Sequence, residues 1–168
     1  MSLSMHALSV PVFARTLGNL SAILDKAAAY AQAKKIDPAV LLTARLYPDM
    51  FALTRQIQLA SDHAKGAAAR LAGLEPPRFE DVETTIEQLQ ARIARTTEFV
   101  RGIDPKAFDG AETREISLKV RDTVHKHAGL AYLCHIALPN FFFHVTTAYD
   151  ILRHNGVELG KRDFIGSI

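Results

Sequence analysis

The sequence has a single cysteine, Cys134, so neither an intrachain disulfide nor a cysteine-rich zinc site can form. It also has little net charge, because 20 Lys and Arg against 18 Asp and Glu give +2 with neutral histidines. That balance offers no electrostatic basis for binding nucleic acid or an anionic membrane. No apolar run approaches the roughly 20 residues of a membrane span, and the N-terminal residues lack the pattern of a signal peptide. These absences predict a cytoplasmic protein with no nucleic-acid or membrane partner.

With 168 residues, of which 48% are hydrophobic and 23% charged, the chain is long enough for one domain with a core. Apolar residues recur at helical spacing in four long segments, and no internal repeat or low-complexity linker separates them. We therefore expect residues 1–168 to form a single all-α domain, a four-helix bundle with antiparallel neighbours. A short additional helix is expected after Pro38. Alternation of Ile116, Leu118 and Val120 with polar residues predicts a small β-hairpin before the last helix.

Capping and turn signals predict the bounds of the first two long helices. Ser9, with Pro11 close behind, predicts the start of the first helix, which should continue to about Lys35. The second is expected from about Pro48 to Ala72. Its predicted buried face is Leu53, Ile57, Ala60, Ala64, Ala67 and Leu71.

The remaining two long helices are predicted in the same way. The T-x-x-E spacing that begins at Thr84 is typical of a capping box and predicts the third helix, with Arg92 on its solvent side. The last helix should pass through Pro139, with a kink or restart there, and end at Gly156. Its predicted buried stripe is Phe141, Val145, Ala148 and Leu152.

Two of the seven histidines lie where a bundle would bring them together. His63 borders the buried face of the second long helix, and His144 borders the stripe of the last. Helical bundles often build metal sites from such facing side chains. Asn140 lies one turn before His144, but an amide oxygen is a poor ligand for zinc or nickel compared with imidazole. The residues therefore fit either a metal site that lacks a third strong ligand, or two polar side chains hydrogen-bonded inside the bundle.

Other polar and aromatic groups permit further interpretations. Lys65, Tyr149 and Asp150 are candidates to line a pocket for a small anionic ligand, although charged pairs of this spacing are usually solvated surface contacts. His125 and His127 share one side of a strand and are expected to be exposed. The three rings of residues 141–143 point different ways around a helix, which suggests that one packs against a second element or subunit.

Motifs of the common catalytic classes are absent from the sequence. It contains no nucleophile elbow, phosphate-binding loop or dinucleotide fingerprint. Cys134 and His135 are adjacent, so on a helix their side chains diverge by about 100° and cannot pair as nucleophile and base. No catalytic residue is assigned.

Several segments together resemble one known family. They are LPNFFFHVTTAYDILR at 138–153 with GV at 156–157, GK at 160–161 and DF at 163–164; RLYPDMF at 45–51; AKG at 64–66 with RLAG at 70–73; and Asp81 with ETT at 83–85. The chain is similar over nearly its whole length to an uncharacterised bacterial family, a domain of unknown function in the DinB-like (YfiT-like) superfamily of proposed metalloenzymes.

The resemblance implies a DinB-type four-helix bundle, often a homodimer. Better-known relatives bind a divalent metal through three histidines, one from the second long helix and an H-x3-H pair from the last. Some use the metal to activate a low-molecular-weight thiol for isomerisation or S-transfer. By position, His63, Asn140 and His144 would occupy the three ligand places, and Zn, Ni or Fe is the candidate cofactor. Asn140 departs from the pattern and leaves two imidazoles.

Two functions follow as hypotheses. The first is a dimeric bundle protein that binds a small ligand in a bundle pocket, with the superfamily metal site incomplete. The alternative is a divalent-metal-dependent enzyme of the thiol S-transferase or isomerase type, with the metal at His63 and His144. The incomplete ligand set favours the first hypothesis, and whether the protein is an enzyme stays open.

Overall fold

A computed structural model gives the structure of residues 4–166, which contain seven α-helices and one β-hairpin. A 3-10 turn at Pro105–Phe108 precedes the hairpin, and a π-helical segment at Leu133–Ala137 joins α5 to α6. The helices and strands are α1 (Met5–Lys34), α2 (Pro38–Thr43), α3 (Leu53–Leu71), α4 (Ile86–Arg101), β1 (Glu115–Val120), β2 (Thr123–Ala128), α5 (Gly129–Tyr132), α6 (Leu138–His154) and α7 (Lys161–Ile165).

The four long helices form the predicted bundle, and the all-α assignment with a short extra helix and a hairpin is confirmed. Helix α1 packs on α4, α4 on α3, α3 on α6, and α6 back on α1. The predicted apolar faces of α3 and α6 are all buried in one core, because helical spacing places those side chains on one side of each helix.

The start of α1 was predicted too late. The helix begins at Met5, where the Ser4 side chain accepts a hydrogen bond from the Ala7 amide, so Ser4 is the cap. Ser9 lies inside the helix, is buried, and donates its hydroxyl to the Met5 carbonyl at 2.7 Å. Pro11 is also interior. Burial of apolar residues on both sides of Pro11 stabilises the helix despite the missing amide donor.

The start of α3 was predicted too early, since the helix begins at Leu53 and not near Pro48. Residues 44–52 form a turn instead. The Arg45 guanidinium donates to the Met50 carbonyl at 3.2 Å, and the Leu53 amide donates to the Ala44 carbonyl at 2.9 Å. These local hydrogen bonds close the turn and hold the segment out of helical geometry.

The capping box of α4 is shifted by one residue from the predicted one. Thr85, not Thr84, is the cap: its side chain accepts from the Gln88 amide at 3.2 Å, and Gln88 Oε1 accepts from the Thr85 amide at 3.2 Å. Glutamine serves this role as well as glutamate does. The stop of α3 at Gly73 is confirmed, since its φ of +73° is a backbone conformation that favours glycine.

Helix α1 is also long and apolar enough, by length and composition alone, to cross a bilayer, which the apolar runs in the sequence did not indicate. Half of the qualifying window is buried inside the bundle. Core helices have the same composition, and Phe13, Leu17, Leu20 and Leu24 are fully buried there. The buried half of the window is accounted for by the core.

The hairpin and the segment after it complete the fold. Strands β1 and β2 pair antiparallel from Glu115 opposite Ala128 to Val120 opposite Thr123. His125 is exposed as expected, whereas His127 is half-buried. The chain then stays helical from α5 to α6. No restart occurs at Pro139. The irregular geometry lies just before it, in the π-helical segment, where the Leu138 amide donates to the Leu133 carbonyl.

The junction between the hairpin and α5 generates a prediction about two glycines. A Cβ on Gly129 would overlap the Ala111 carbonyl oxygen and lie 3.0 Å from the carbonyl carbon, whereas one on Gly18 would meet nothing within 4 Å. Gly129→Ala should therefore lower the free energy of unfolding by about 2–4 kcal/mol, because backbone must move. Gly18→Ala, in the exposed middle of α1, should raise it by about 0.5–1 kcal/mol. Urea unfolding followed by circular dichroism measures both, and equal effects would contradict this packing.

Candidate functional site

His63 and His144 face each other across the contact between α3 and α6. Their ring centroids are 5.3 Å apart, and the ring planes lie 14° from parallel. His144 is 8% exposed, while His63 is half-buried and so remains open to solvent on one side. The small neighbours Ala60 and Ala64, both fully buried, let α6 approach α3 closely enough for the rings to meet. The expected convergence of these two imidazoles is confirmed.

Gln56 determines which nitrogen of His144 carries its proton. The Gln56 side chain donates through Nε2 to the Phe51 carbonyl at 3.0 Å, so its Oε1 is an acceptor. That oxygen lies 2.7 Å from His144 Nδ1, which must therefore be the protonated nitrogen. His144 Nε2 has no hydrogen-bond partner within residues 4–166 and is not among their buried unpaired atoms, so it reaches solvent. The neutral ring thus presents a free acceptor.

Both imidazoles are held neutral at ordinary pH. Burial lowers the pKa of His144 to about 4, and the neighbouring His63 and the Arg55 guanidinium act in the same direction. Burial also lowers the pKa of His63, where Asp62 opposes the shift and Arg70 adds to it. The pair therefore accepts or donates hydrogen bonds without carrying charge.

Asn140, the third position of the expected ligand set, is used by the helix backbone. Its side-chain amide donates to the Ile136 carbonyl at 2.7 Å, at the junction of the π-helical segment with α6. Within residues 4–166 no three His, Cys, Asp or Glu side chains are grouped so as to hold a metal ion. The donor set at this place is two imidazoles and an amide that is already hydrogen-bonded.

This donor set fits the superfamily's divalent metal poorly. Catalytic zinc sites have three protein ligands, and here only His63 and His144 are of a strongly ligating type. The positive charges of Arg55 and Arg70 act on the two rings, which disfavours a further cation beside them. One feature of a ligating histidine is present, because His144 Nδ1 donates a hydrogen bond to Gln56 and so fixes the orientation of the ring.

The three residues predicted to line an anion pocket have separate surroundings. Lys65 is buried, forms a 2.9 Å ion pair with Asp62, and lies 4.9 Å from the centre of the Phe79 ring. Tyr149 packs edge-on against Phe164 of α7. Asp150 is exposed. The Asp62–Lys65 pair was predicted, but as a solvated contact; its lysine lies instead in a buried charge cluster.

Arg92 is at the centre of that cluster, so its predicted position on the wet side of α4 was wrong. It is 4% exposed, and its guanidinium pairs with Asp62 at 2.8 Å, Asp81 at 2.9 Å and Glu83 at 3.0 Å. Asp81 also pairs with Arg55. The cluster lies where α3 meets α4 and ties the segment before α4 onto the bundle.

Two residues beside the histidines were missed by the sequence interpretation, Gln56 and Arg70. Together with His63 they recur every seven residues on α3, so all three lie on one face of the helix. That spacing was a usable signal. It was overlooked because glutamine and arginine are normally surface residues.

Comparison with known proteins agrees with the resemblance found in the sequence. The family model described as a domain of unknown function, DUF1993, matches residues 5–165. The crystal structure of a DinB family member protein from Shewanella denitrificans is similar with a TM-score of 0.93 and 43% sequence identity, over 98% of this chain and 93% of that chain. No curated protein matches the chain.

The low pKa of His144 predicts a pH-dependent loss of stability. The unfolded chain takes up a proton near pH 6.5, whereas the folded ring does so only near pH 4, so the free energy of unfolding should fall as pH drops through that window. We expect a loss on the order of 1–2 kcal/mol from this ring, allowing for nearby solvent. His144→Asn keeps a donor for Gln56 but does not titrate, so its stability should fall less between pH 7 and pH 4.5. His125→Asn, on the exposed strand, is the control; equal pH slopes for all three proteins would contradict the assignment.

The Arg92 cluster generates a second prediction. Arg92→Met leaves Asp62, Asp81 and Glu83 without their shared cation and should lower the free energy of unfolding by about 3–5 kcal/mol. The matched control is Arg95→Met, one turn along α4, whose exposed guanidinium lies 3.9 Å from the Phe79 ring centre and should contribute only about 0.5–1 kcal/mol. Chemical unfolding of both variants measures the difference, and similar losses would show that the cluster is not a stabilising centre.

Proposed function

The chain belongs to the DUF1993 family of DinB-like proteins, and we propose that it binds a small polar molecule at the His63–His144 pair. The observation that carries this proposal is the hydrogen-bonded relay from His144 through Gln56 to the Phe51 carbonyl. It holds one imidazole in a single tautomer with an unused acceptor nitrogen. A buried imidazole is normally hydrogen-bonded, and what distinguishes this one is that only Nδ1 has a partner among the described residues.

The chemistry of the pair indicates what kind of group it would bind. His144 Nε2 accepts a hydrogen bond, so the bound group carries a donor such as a hydroxyl, amide or thiol. His63, on the open side, can donate or accept. An exposed aromatic ring flanks the pair, because Phe143 packs edge-on against His144 with 5.2 Å between centroids. These surroundings favour a ligand with a polar end and an apolar body.

A metal-dependent thiol enzyme is the second candidate. It is favoured by the free Nε2 of His144, since a neutral imidazole of fixed tautomer is a competent metal ligand. The hydrogen-bonded amide of Asn140 and the positive charges of Arg55 and Arg70 count against it. We rank it below the binding protein and assign no catalytic residue.

Assembly and location belong to the same proposal. The exposed ring of Phe143, 56% accessible, is the member of the aromatic triplet that leaves the core and supports a homodimer in which it is covered. A cytoplasmic location stays a prediction from the single cysteine.

Light scattering on the purified protein, compared with a Phe143→Ser variant, tests the dimer.

The binding proposal is tested on untagged protein by following the ring resonances of His63 and His144 in a ¹H–¹³C spectrum. Titration with propionamide, 1,2-propanediol and 2-mercaptoethanol should shift both rings saturably for at least one probe. His144→Asn should abolish that binding, because asparagine keeps the bond to Gln56 but lacks the Nε2 acceptor. His125→Asn should leave it intact.

Metal analysis of the same preparation decides between the two candidates. The protein is compared with its His63→Asn and His144→Asn variants. If the parent protein holds stoichiometric Zn, Ni or Fe and both variants lose it, the binding proposal is overturned in favour of the metal-dependent enzyme. Absence of any response of the two rings to the probes would also overturn the proposal.

A further inference from the structure

Arg70 is a half-buried guanidinium with most of its donors unused. Its polar contact within residues 4–166 is a hydrogen bond of 3.4 Å from Nη1 to the hydroxyl of Tyr132, and no carboxylate in that range forms a salt bridge with it. Arg92, by contrast, has three carboxylate partners. A guanidinium carries five N–H donors and is costly to desolvate without an anion.

Gly66 provides the space that holds Arg70 in place. A Cβ built on Gly66 would lie 2.6 Å from Arg70 Nη1, and the nearest three atoms to it all belong to that guanidinium. The side chain therefore folds back along α3 by about one turn, toward His63. A glycine inside a helix costs about 1 kcal/mol relative to alanine, and here the residue leaves a cradle for the guanidinium.

Tyr132 adds a second donor to the same place. It is 4% exposed, and burial raises the pKa of its hydroxyl, an effect that the Arg70 charge opposes only in part. The hydroxyl therefore stays protonated at neutral pH. It accepts from Arg70 and keeps its own hydrogen for another partner, since it has no other hydrogen-bond partner in the described part of the chain. Two donors, one of them charged, therefore lie together, and the charge of Arg70 acts on His63.

We propose that Arg70 and Tyr132 bind the carboxylate of a small organic acid whose remaining polar group reaches the His63–His144 pair. A planar carboxylate matches the forked donors of a guanidinium, and the tyrosine hydroxyl supplies a further bond. The inference rests on the proposed function, since it names the chemical class of that ligand. It also accounts for a half-buried arginine that the bundle itself leaves without an anion.

The test compares the affinity for acetate with the affinity for its neutral isostere acetamide at constant ionic strength. Both are measured by NMR titration that follows the resonances of the Tyr132 ring and the Arg70 Nε–H. Acetate should bind at least tenfold more tightly than acetamide. Arg70→Gln should remove this preference, and Tyr132→Phe should reduce acetate affinity several-fold. Arg153→Gln, an exposed arginine in the last turn of α6, is the matched control and should bind acetate as the parent protein does.

Gly66→Ala tests the same site without removing the Arg70 charge, because this variant keeps every polar group. Its Cβ displaces the guanidinium, so acetate affinity should fall at least threefold while the melting temperature changes little, because the displaced atoms end a flexible side chain. Equal binding of acetate and acetamide, or unchanged acetate affinity in both Arg70→Gln and Gly66→Ala, would overturn the carboxylate assignment. If the neutral probes still shift His63 and His144 in that case, the proposed function survives without it.

Discussion

The packing of α6 against α3 is the interaction on which the rest of the structure depends. Alanines at 60, 64 and 67 of α3 are fully buried and present a shallow surface, on which Phe141 and Val145 of α6 lie in the core. Close approach maximises dispersion contacts between the helices and excludes water from the seam. The same approach brings a histidine from each helix together. The apolar packing thus creates a low-dielectric setting for the only imidazole pair in the described bundle.

The two polar faces of α3 differ in how their charges are satisfied. On the α4 side, Arg92 is surrounded by three carboxylates, and the buried charges are neutralised within the protein. On the α6 side, the histidines are neutral and Arg70 has a hydroxyl but no acid. Buried polar groups are normally paired, and the charges of the first face are paired with one another, although Arg92 Nε has no partner among the described residues. The second face keeps donors and an acceptor available, which is what a binding site requires.

The sequence predicted the bundle well because helical periodicity depends on local spacing, and every residue of the predicted apolar faces of α3 and α6 is buried. It failed where tertiary contacts decide. Arg92 follows the pattern of a surface residue, and only the fold brings Asp62, Asp81 and Glu83 to it. The start of α3 depends on a turn held by Arg45, which no spacing rule contains. The pairing of His63 with His144 was predictable from helix faces, but the tautomer of His144 depends on Gln56, whose role requires the packed structure.

The residue at position 140 can be understood from the helix that carries it. Pro139 has no amide hydrogen, and the segment before it is π-helical, so the backbone hydrogen bonds around Ile136 are irregular. The Asn140 side chain donates to the Ile136 carbonyl at 2.7 Å and so satisfies that irregular turn. An imidazole turned toward a shared metal could not make this bond at the same time. The amide therefore suits a bundle in which this turn is stabilised locally, and the ligand recognition that we propose is left to the two remaining imidazoles and Arg70.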